Sequence, residues 1–210
     1  MPRGSLNVVI VGVGGQGVIT AARILSEAAR LAGQNVIVAE THGLSQRGGS
    51  VIVHVRIGND VEAPLIPKGW SDLMIAMEAI EALRYLDYMD KDSYVIVDKQ
   101  VIPPPSPGVG YIDLEDLIGG LKASELKIHV VNASKTAISH GEPRAANMYL
   151  LGFAAGLNAY RGLISIGHLK LAVYSVMKDK HVNLKVLEEG YNDALMATDK
   201  RHIHNRLTSE

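Results

Sequence analysis

Residues 6–25 read LNVVIVGVGGQGVITAARIL, and this stretch decides the fold. It opens with a mostly apolar run, Leu6–Gly12, that ends in glycine, which is typical of a buried parallel strand. Apolar residues at helical spacing follow over Gln16–Gly33 and stop at a glycine. A second strand-like run, NVIVAE, covers residues 35–40. The stretch therefore predicts a strand, a helix and a second strand in that order.

Strand-like and helix-like patterns continue to alternate further along the chain. We expect strands at Val51–Ile57, Asp72–Met77, Ser93–Asp98 and Leu126–Ala133, a helix at Glu78–Met89, and helices from Asn147 onward. This order predicts an α/β fold, with a Rossmann-like, mainly parallel sheet flanked by helices and a helical C-terminal part. No clear helix precedes the third strand, which departs from the simple Rossmann alternation. We expect residues 1–210 to form a single domain whose polar tail, 198–210, frays.

Composition excludes several classes of function. The chain has 210 residues, 47% of them hydrophobic, with 21 basic and 22 acidic residues and a net charge of −1. This balance favours a well-packed core with a buried oligomeric face and argues against binding of nucleic acid or membrane. Cysteine is absent, so the chain cannot ligate an iron–sulfur cluster through thiolates. The apolar runs are too short for a membrane span or secretory signal, so the cytoplasm is the predicted compartment.

The glycine-rich sequence GVGGQG, residues 12–17, follows the first strand and opens the first helix. Gly12, Gly14 and Gly17 have the G-x-G-x-x-G spacing of a dinucleotide site. Such a turn lets a phosphate approach backbone N–H groups at the positive end of a helix. Glu40, near the end of the second strand, has the position of a ribose-binding acid. One alternative is a stand-alone NAD(P)- or FAD-binding oxidoreductase, and another is an architectural chain in which the glycines serve helix packing.

The polar loop HGLSQRGGS, residues 42–50, is dense in hydrogen-bonding groups. Arg47 is a candidate for bidentate binding of a substrate carboxylate or a coenzyme A phosphate, or for a salt bridge that fixes the loop. His42 and Gln46 are candidates to position a substrate or partner, or to satisfy neighbouring backbone groups. Gly48 and Gly49 answer a backbone need for positive φ or close approach.

Other polar residues have weaker signals. His54 and Arg56 share one face of the alternating VIVHVRI run, which predicts a face in contact with solvent or a partner subunit. Asn147 and Asn183 each precede an apolar helical pattern and are predicted N-caps. The tail histidines, residues 202 and 204, lack a third ligand, so no metal site is predicted. No nucleophile is paired with a base, so catalytic residues stay unassigned.

Several of these motifs occur together in one known family. GVGGQGVITAARIL, ETHGLSQRGGSVIVHVRIG, APLIP, EALRYLDYM and NMYLLG closely resemble the gamma domain of the 2-oxoacid:ferredoxin oxidoreductases. The resemblance extends from Asn7 to about Ala197. APLIP and the proline run after YVIVDK favour the small subunit of the indolepyruvate type. A gamma subunit of a pyruvate, 2-oxoisovalerate or 2-oxoglutarate enzyme is the alternative.

The resemblance implies an activity. Enzymes of this family convert a 2-oxoacid and coenzyme A to an acyl-CoA and carbon dioxide, and they reduce ferredoxin. It also implies that thiamine diphosphate, Mg2+ and [4Fe-4S] clusters belong to a large partner subunit. The absence of cysteine agrees with that placement. We therefore expect this chain to be necessary for activity but inactive alone, and to form a heteromer, with a homodimer in isolation as a further possibility.

Within such a complex, the anion-binding chemistry of the two loops suggests the candidate site residues. The pyrophosphate of coenzyme A is expected at the glycine loop, formed by Gly12, Gly14, Gly15, Gln16 and Gly17. A loop at the substrate or the subunit interface is expected from His42, Ser45, Gln46, Arg47, Gly48 and Gly49, with His54, Arg56 and Asn147 nearby.

Overall fold

The computed structural model describes residues 4–42, 48–59, 61–103, 113–124 and 126–207, with the backbone alone for His42 and residues 200–207. The strands are β1 Leu6–Val13, β2 Val36–His42, β3 Ser50–Ile57, β4 Ser71–Ala76, β5 Met89–Asp98 and β6 Lys127–Val131. The helices are α1 Val18–Leu31, α2 Ala79–Arg84, α3 Leu114–Lys122, α4 Ala133–Ser139, α5 Ala146–Gly156, α6 Ile166–Val176 and α7 Lys180–Leu207. Short 3-10 turns cover Leu86–Tyr88 and Pro143–Ala145.

The described strands form one six-stranded sheet in the order β2-β3-β1-β4-β5-β6. β3 is antiparallel to both of its neighbours, whereas β1, β4, β5 and β6 are parallel. The prediction of a mainly parallel α/β sheet is confirmed. The departure predicted at the third strand is also present, because β3 lies between β1 and β2 and separates them. We call the end of the sheet where β1, β4, β5 and β6 finish the carboxyl edge.

Helices cover both faces of the sheet, so its central strands are buried on two sides. α1, α5, α6 and α7 pack on one face, whose core includes Val8, Ile10 and Ile75. α2 and α3 pack on the other face, whose core includes Val9 and Val11. All eight residues of β1 are buried. This accounts for the continuous apolar run in the sequence, which parallel strands covered on both faces require.

The second face of β3 is not the wet face that its alternation predicts. Ile52 and His54 point to that face, and His54 is only 2% exposed. The segment 63–70 covers them, since Ile66 N donates to His54 Nδ1 at 3.3 Å and Arg56 Nη1 donates to the Ala63 carbonyl at 2.7 Å. Alternation shows which residues share a face, but it does not show whether a distant segment will cover that face.

Both predicted asparagine caps are wrong. α5 begins at Ala146, directly after a 3-10 turn, so Asn147 lies inside its first turn. α7 begins at Lys180, and Asn183 lies within it, where Nδ2 donates to the Asp179 carbonyl at 2.6 Å. α3 and α4 were not predicted. α7 is helical to Leu207, and fraying of the tail stays a prediction. None of the described helices is long and apolar enough to cross a bilayer.

α5 and α7 pack together unusually closely, and glycines permit this. A Cβ added at Gly152 would collide with the Leu187 carbonyl oxygen, and one at Gly190 with the Tyr149 carbonyl. A Cβ at Gly156 would lie 2.5 Å from the Tyr191 carbonyl. Because the obstacles are backbone atoms, no side-chain rotation would relieve these collisions. The contact fixes α5, which carries Asn147 towards the carboxyl edge.

Candidate functional site

The chain reverses the direction of sheet growth between β1 and β4, which marks a position at the carboxyl edge. From β1 the chain passes through α1 on one face, and from β4 it passes through α2 on the opposite face. The loops after the two adjacent strands therefore diverge and leave a crevice. In open α/β sheets, ligands bind at such switch points. The glycine loop follows β1 and lies there.

Glycine occurs at three positions of this loop for different structural reasons. A Cβ on Gly12 would lie 2.8 Å from Met77 Cβ, so the position needs close approach between the two strand ends. Gly15 has a φ of 107° and Gly17 a φ of 83°, a region that L side chains rarely adopt. Gly17 precedes α1, and its carbonyl accepts from Ala21 N at 2.9 Å. Nothing lies within 4 Å of a Cβ placed on Gly15, so this residue faces open space.

The side chain of Gln16 holds the loop at the switch point. Its Oε1 accepts from Val13 N at 2.7 Å, which closes the turn on itself. Its Nε2 donates to the Met77 carbonyl at 3.1 Å and to Gln100 Oε1 at 3.0 Å. Gln16 therefore joins the ends of β1 and β4 to the segment after β5. It is a loop-fixing residue in this structure, with all three of its bonds made to the protein.

A second polar group extends the network along the carboxyl edge. Ser134, at the start of α4, contacts Gln100 Oε1 at 3.3 Å and hydrogen-bonds through Oγ to Asp98. Ser134 N also donates to Asp98 Oδ1 at 3.1 Å. Sequence reasoning missed all three residues. A usable signal was present, because Asp98 and Gln100 end or follow one strand and Ser134 follows the next.

Burial raises the pKa of the Asp98 carboxyl group, and hydrogen bonds from Ser134 partly oppose that rise. The folded chain thus favours the protonated form of Asp98 more than the unfolded chain does. The contribution of Asp98 to the free energy of unfolding is greatest when the pH is below the ordinary Asp pKa of about 3.9. It is lost as the pH rises through the raised pKa. We expect Asp98→Asn to increase the free energy of unfolding relative to the parent at pH 8, and this advantage to shrink towards pH 4. Urea unfolding at several pH values measures it.

Asp92→Asn is the matched control for this prediction, since Asp92 is on the same strand but exposed. The control measures the effect of removing an exposed carboxyl group from that strand. An Asp98→Asn difference that does not change with pH would contradict the assignment of a raised pKa to this buried carboxyl group.

Asn147 connects α5 to the glycine loop. Its Nδ2 donates to the Gly17 carbonyl at 3.1 Å, and the residue is 3% exposed. This bond fixes the amide orientation, because a flipped amide would place two oxygens together. Oδ1 is buried and has no hydrogen-bond partner among the described residues. Buried acceptors are normally satisfied, so Asn147 Oδ1 is suited to a ligand N–H or O–H group.

Two cavities flank the loop and together form what we call the glycine-loop cleft. One has a volume of about 330 Å3 and the other about 230 Å3, and both are bordered by Gly15 and Arg144. The first is lined by Gly15, Gly17, Thr20, Glu142, Arg144, Asn147, Met177, Lys178, Asp179 and Asn183. The second adds Gln16, Met77, Gln100, Ser134, Ile138, Pro143 and Ala146. The first turn of α1 thus faces a space edged by two cationic side chains, Arg144 and Lys178, and two acidic ones, Glu142 and Asp179.

The end of the polar loop touches the glycine loop. Gly14 N donates to the Gly49 carbonyl at 2.9 Å, and Gly48 N donates to the Gly14 carbonyl at 3.4 Å. Gly48 has a φ of 74°, which confirms the predicted need for a glycine there. Ser45, Gln46 and Arg47 lie outside the described residues, as does the side chain of His42. Their roles stay predictions.

His54 and Arg56 lie away from the cleft. Arg56 pairs with Asn7 at the amino end of β1, whereas the glycine loop follows its other end, roughly 20 Å along the strand. Arg56 Nε donates to Asn7 Oδ1 at 2.9 Å. Burial lowers the pKa of His54. These two residues hold the segment 63–70 against the sheet, and the glycine-loop cleft does not include them.

A larger cavity, of about 590 Å3, is bordered by residues of β6, α4, α5 and α7. Its aromatic walls, Tyr149 and Phe153, are each 4% exposed, so they offer little surface to a ligand. Tyr149 Oη already donates to Asp193 Oδ2 at 2.6 Å. We place the candidate site at the glycine-loop cleft, because the cleft combines a helix N-terminus with a buried, unsatisfied acceptor.

A family model for pyruvate ferredoxin/flavodoxin oxidoreductase matches residues 7–193. The chain belongs to this family. Two relatives are named indolepyruvate oxidoreductase subunit IorB. The protein from Archaeoglobus fulgidus is 47% identical over 195 residues, covering 90% of this chain and 96% of that one. The protein from Pyrococcus horikoshii is 37% identical, with 90% and 95% covered. The predicted class, a small subunit of a 2-oxoacid:ferredoxin oxidoreductase, is confirmed.

Two solved structures share the fold. The gamma subunit of a keto/oxoacid ferredoxin oxidoreductase from Geobacter sulfurreducens has a TM-score of 0.69 at 22% identity, covering 91% of this chain and 99% of that one. The 2-oxoglutarate:ferredoxin oxidoreductase of Magnetococcus marinus has a TM-score of 0.68 at 21% identity. It covers 92% of this chain but 32% of that longer chain, so one part of a larger polypeptide has this fold.

Family membership and geometry together replace the stand-alone dinucleotide interpretation. Glu40 is exposed and lines a separate groove with Arg23 and Arg30 on the outer side of α1. In a Rossmann site the second strand is next to the first, and its acid meets the ribose beside the glycine loop. Here β3 occupies that place and moves Glu40 one strand further from the loop. The predicted ribose-binding role of Glu40 is therefore wrong.

Proposed function

We propose that this chain is the small subunit of an indolepyruvate-type 2-oxoacid:ferredoxin oxidoreductase. The complex would oxidise an arylpyruvate in the presence of coenzyme A, form an acyl-CoA and carbon dioxide, and reduce ferredoxin in the cytoplasm. The observation that carries the substrate class is the 47% identity to a protein named as an indolepyruvate oxidoreductase subunit. A relative named as a 2-oxoglutarate synthase subunit is 31% identical over 49% of this chain, which supports that class less.

We propose that thiamine diphosphate, Mg2+ and the [4Fe-4S] clusters are held by a large partner subunit. Two observations support that placement. Cysteine is absent from the whole sequence. Among the described residues, no group of three or more His, Asp or Glu side chains is arranged to hold a metal ion. The chain's own contribution would then be binding and positioning at the carboxyl edge of its sheet.

We propose that the glycine-loop cleft receives the pyrophosphate of coenzyme A. Gly17 has no side chain to cap α1, so the first N–H groups of that helix stay available to an anion. Arg144 and Lys178 offer cationic groups at the rim, but Glu142 and Asp179 line the same cavity, and Glu142 pairs with Arg144 at 2.9 Å. The helix N-terminus is therefore the main feature that favours an anion there. The Magnetococcus marinus relative is described with coenzyme A and succinyl-CoA bound.

Asn147 adds direction to the proposed site. A phosphate offers acceptors to the helix N-terminus, whereas Asn147 Oδ1 requires a donor. Coenzyme A carries both kinds of group, because the pantetheine arm attached to its pyrophosphate has a hydroxyl group and amide N–H groups. The unsatisfied oxygen supports a ligand that extends past the phosphates, and free inorganic phosphate would satisfy it poorly. Gln16 would hold the loop through its three bonds to the protein, without touching the ligand.

The activity test uses the complex. The chain would be co-expressed with a candidate large subunit from the same genome, and thiamine-dependent reduction of a viologen dye would be measured with indolepyruvate, phenylpyruvate and pyruvate. We expect the two arylpyruvates to be the better substrates and the isolated chain to be inactive. A stable complex that reduces the dye with none of the three would refute the proposed function, and a preference for pyruvate would refute the substrate class.

The ligand test uses Asn147→Ala in the same complex. Loss of the amide removes the bond from Asn147 to the Gly17 carbonyl and leaves the ligand donor without a partner, so we expect the Kd for coenzyme A to rise about tenfold. Isothermal titration measures this affinity. Asn132→Ala is the control, because Asn132 is exposed and makes no side-chain cap bond. Equal affinities in both variants would contradict the role given to Asn147.

Arg47 requires a separate experiment, because it lies outside the described residues. We propose that it binds either a carboxylate or phosphate of the ligand or the large subunit. Arg47→Ala in the complex separates these ideas. Weaker coenzyme A binding in an intact complex would favour ligand contact, and weaker assembly would favour contact with the partner. Normal affinity, assembly and acyl-CoA formation would remove both.

A further inference from the structure

Glu81 is a buried carboxylate that the proposed function leaves unused. It lies on α2, is 4% exposed, and forms an ion pair with Arg84 at 3.0 Å. A buried charge is costly unless hydrogen bonds compensate it, and apolar residues often serve stability equally well. A buried carboxylate at position 81 therefore suggests a role beyond stability. Its second oxygen, Oε2, accepts a hydrogen bond from Ser50 Oγ, at the start of β3.

The hydrogen bonds at Ser50 have one consistent direction. Ser50 Oγ contacts both Glu81 Oε2 and Tyr85 Oη, the latter at 2.8 Å. The carboxylate paired with Arg84 accepts and cannot donate, so the single Ser50 proton is directed to Glu81. Tyr85 must then donate to Ser50. This chain of donors, from tyrosine to serine to carboxylate, fixes the Ser50 side chain in one orientation.

Ser50 is connected to the glycine loop through the backbone. It pairs with Val13, the last residue of β1. The two residues before it, Gly48 and Gly49, bond to the C=O and the N–H of Gly14 at 3.4 and 2.9 Å. Gly14 is followed by Gly15, which lines both cavities of the cleft. The position of Ser50 therefore controls the position of the residue that precedes the ligand-facing glycine.

We infer that Glu81 and Tyr85, acting through Ser50, position the glycine loop for its ligand. This inference rests on the proposed binding of coenzyme A at that loop. The three side chains are positioning residues, because none of them lines the cleft. Gln16 holds the opposite side of the loop through Met77 and Gln100, so the loop is fixed from two sides. The arrangement preorganises the backbone N–H groups before the ligand arrives.

The test compares Ser50→Ala, Tyr85→Phe and Ser50→Thr in the complex with the large subunit. We expect Ser50→Ala to raise the KM for coenzyme A about tenfold, with kcat within about twofold of the parent, since binding geometry is what it changes. Tyr85→Phe leaves the bond from Ser50 to Glu81 in place, so a rise of about threefold is expected. Ser50→Thr restores a hydroxyl group and should bring the KM back towards the parent value.

Ser93→Ala is the matched control. Ser93 is also a buried strand serine, and its Oγ donates to the Ser71 carbonyl at 2.5 Å near the amino end of β4. We expect this variant to lower the melting temperature without changing the KM. If Ser50→Ala behaves in the same way, losing stability with an unchanged KM, its role is structural and the inference is overturned.

Gly15→Ala separates failure of the inference from failure of the proposed site. Its φ of 107° makes any side chain strained at the loop itself. A raised KM in Gly15→Ala with a normal KM in Ser50→Ala overturns the inference and leaves the coenzyme A site standing. A normal KM in both variants refutes the coenzyme A site, and the inference falls with it. A raised KM in both variants, with rescue by Ser50→Thr, supports both.

Discussion

Replacing Gly152 with alanine is expected to lower the free energy of unfolding by about 3 kcal/mol, at the upper end for overpacking substitutions. The new Cβ would meet the Leu187 carbonyl oxygen, a backbone atom of the facing helix. α5 and α7 would have to separate, and their reciprocal contact at Gly190 would be lost. The gain in helix propensity of about 1 kcal/mol does not offset this loss. Thermal unfolding should show a midpoint lower by roughly 6–12 °C.

Gly119→Ala is the control with the opposite expected sign. Gly119 is also a helical glycine, in α3, but it is exposed and nothing lies within 4 Å of an added Cβ. Alanine there should stabilise the chain by up to about 1 kcal/mol, because glycine is a poor helix former. If both variants were stabilised, the close packing of α5 against α7 would be wrong. If both were destabilised, the collision between α5 and α7 would not be what makes Gly152 necessary, because Gly119 has no such neighbour.

Gly17→Ala is expected to reduce kcat/KM for coenzyme A by about a hundredfold, the loss that a displacement of about 1 Å at a binding site can cause. Gly17 has a φ of 83°, and its Cβ would lie 2.5 Å from Asn147 Nδ2. The variant therefore strains the backbone and breaks the bond that joins α5 to the loop. Both effects act on the residues that would bind the ligand. Steady-state assays of the complex with varied coenzyme A measure the effect.

Gly33→Ala provides the comparison for Gly17. It follows the other end of α1, has a φ of 74°, and has nothing within 4 Å of an added Cβ. Alanine should incur the left-handed strain of about 1–2 kcal/mol in stability and leave kcat/KM unchanged. A similar loss of activity in both variants would mean that strain at α1, and not the loop geometry, limits the enzyme.

The fold was largely predictable, because buried parallel strands and amphipathic helices have periodic signatures. β1, α1 and β2 were read directly from residues 6–40. The sheet order was not predictable, since pairing of β1 with β3 depends on contacts between residues about 45 positions apart. α3 had a readable start in Asp113, whose side chain accepts from Glu115 N, but its two glycines obscure the helical pattern.

The site was predictable as a location and less so as a set of side chains. The glycine spacing and the strand before it placed the loop correctly. Asn147 was assigned to the site but explained as a cap, because a local pattern cannot show that its amide meets Gly17, 130 positions earlier. The burial of His54 was not predictable for a similar reason, whereas contact of Arg56 with a partner subunit stays a prediction. The covering segment 63–70 is apparent only after the chain has folded back over β3.

The insertion of β3 between β1 and β2 also has a consequence for synthesis on the ribosome. β1 and β2 share no ladder, so the first 42 residues cannot close a sheet by themselves. β1 gains its first neighbour when β3 emerges and its second when β4 follows, after residue 76. The bond between the glycine loop and Asn147 can form only after residue 147 has been synthesised. The nascent chain thus carries β1 without its neighbours until β3 has been synthesised, and such an exposed apolar strand favours aggregation.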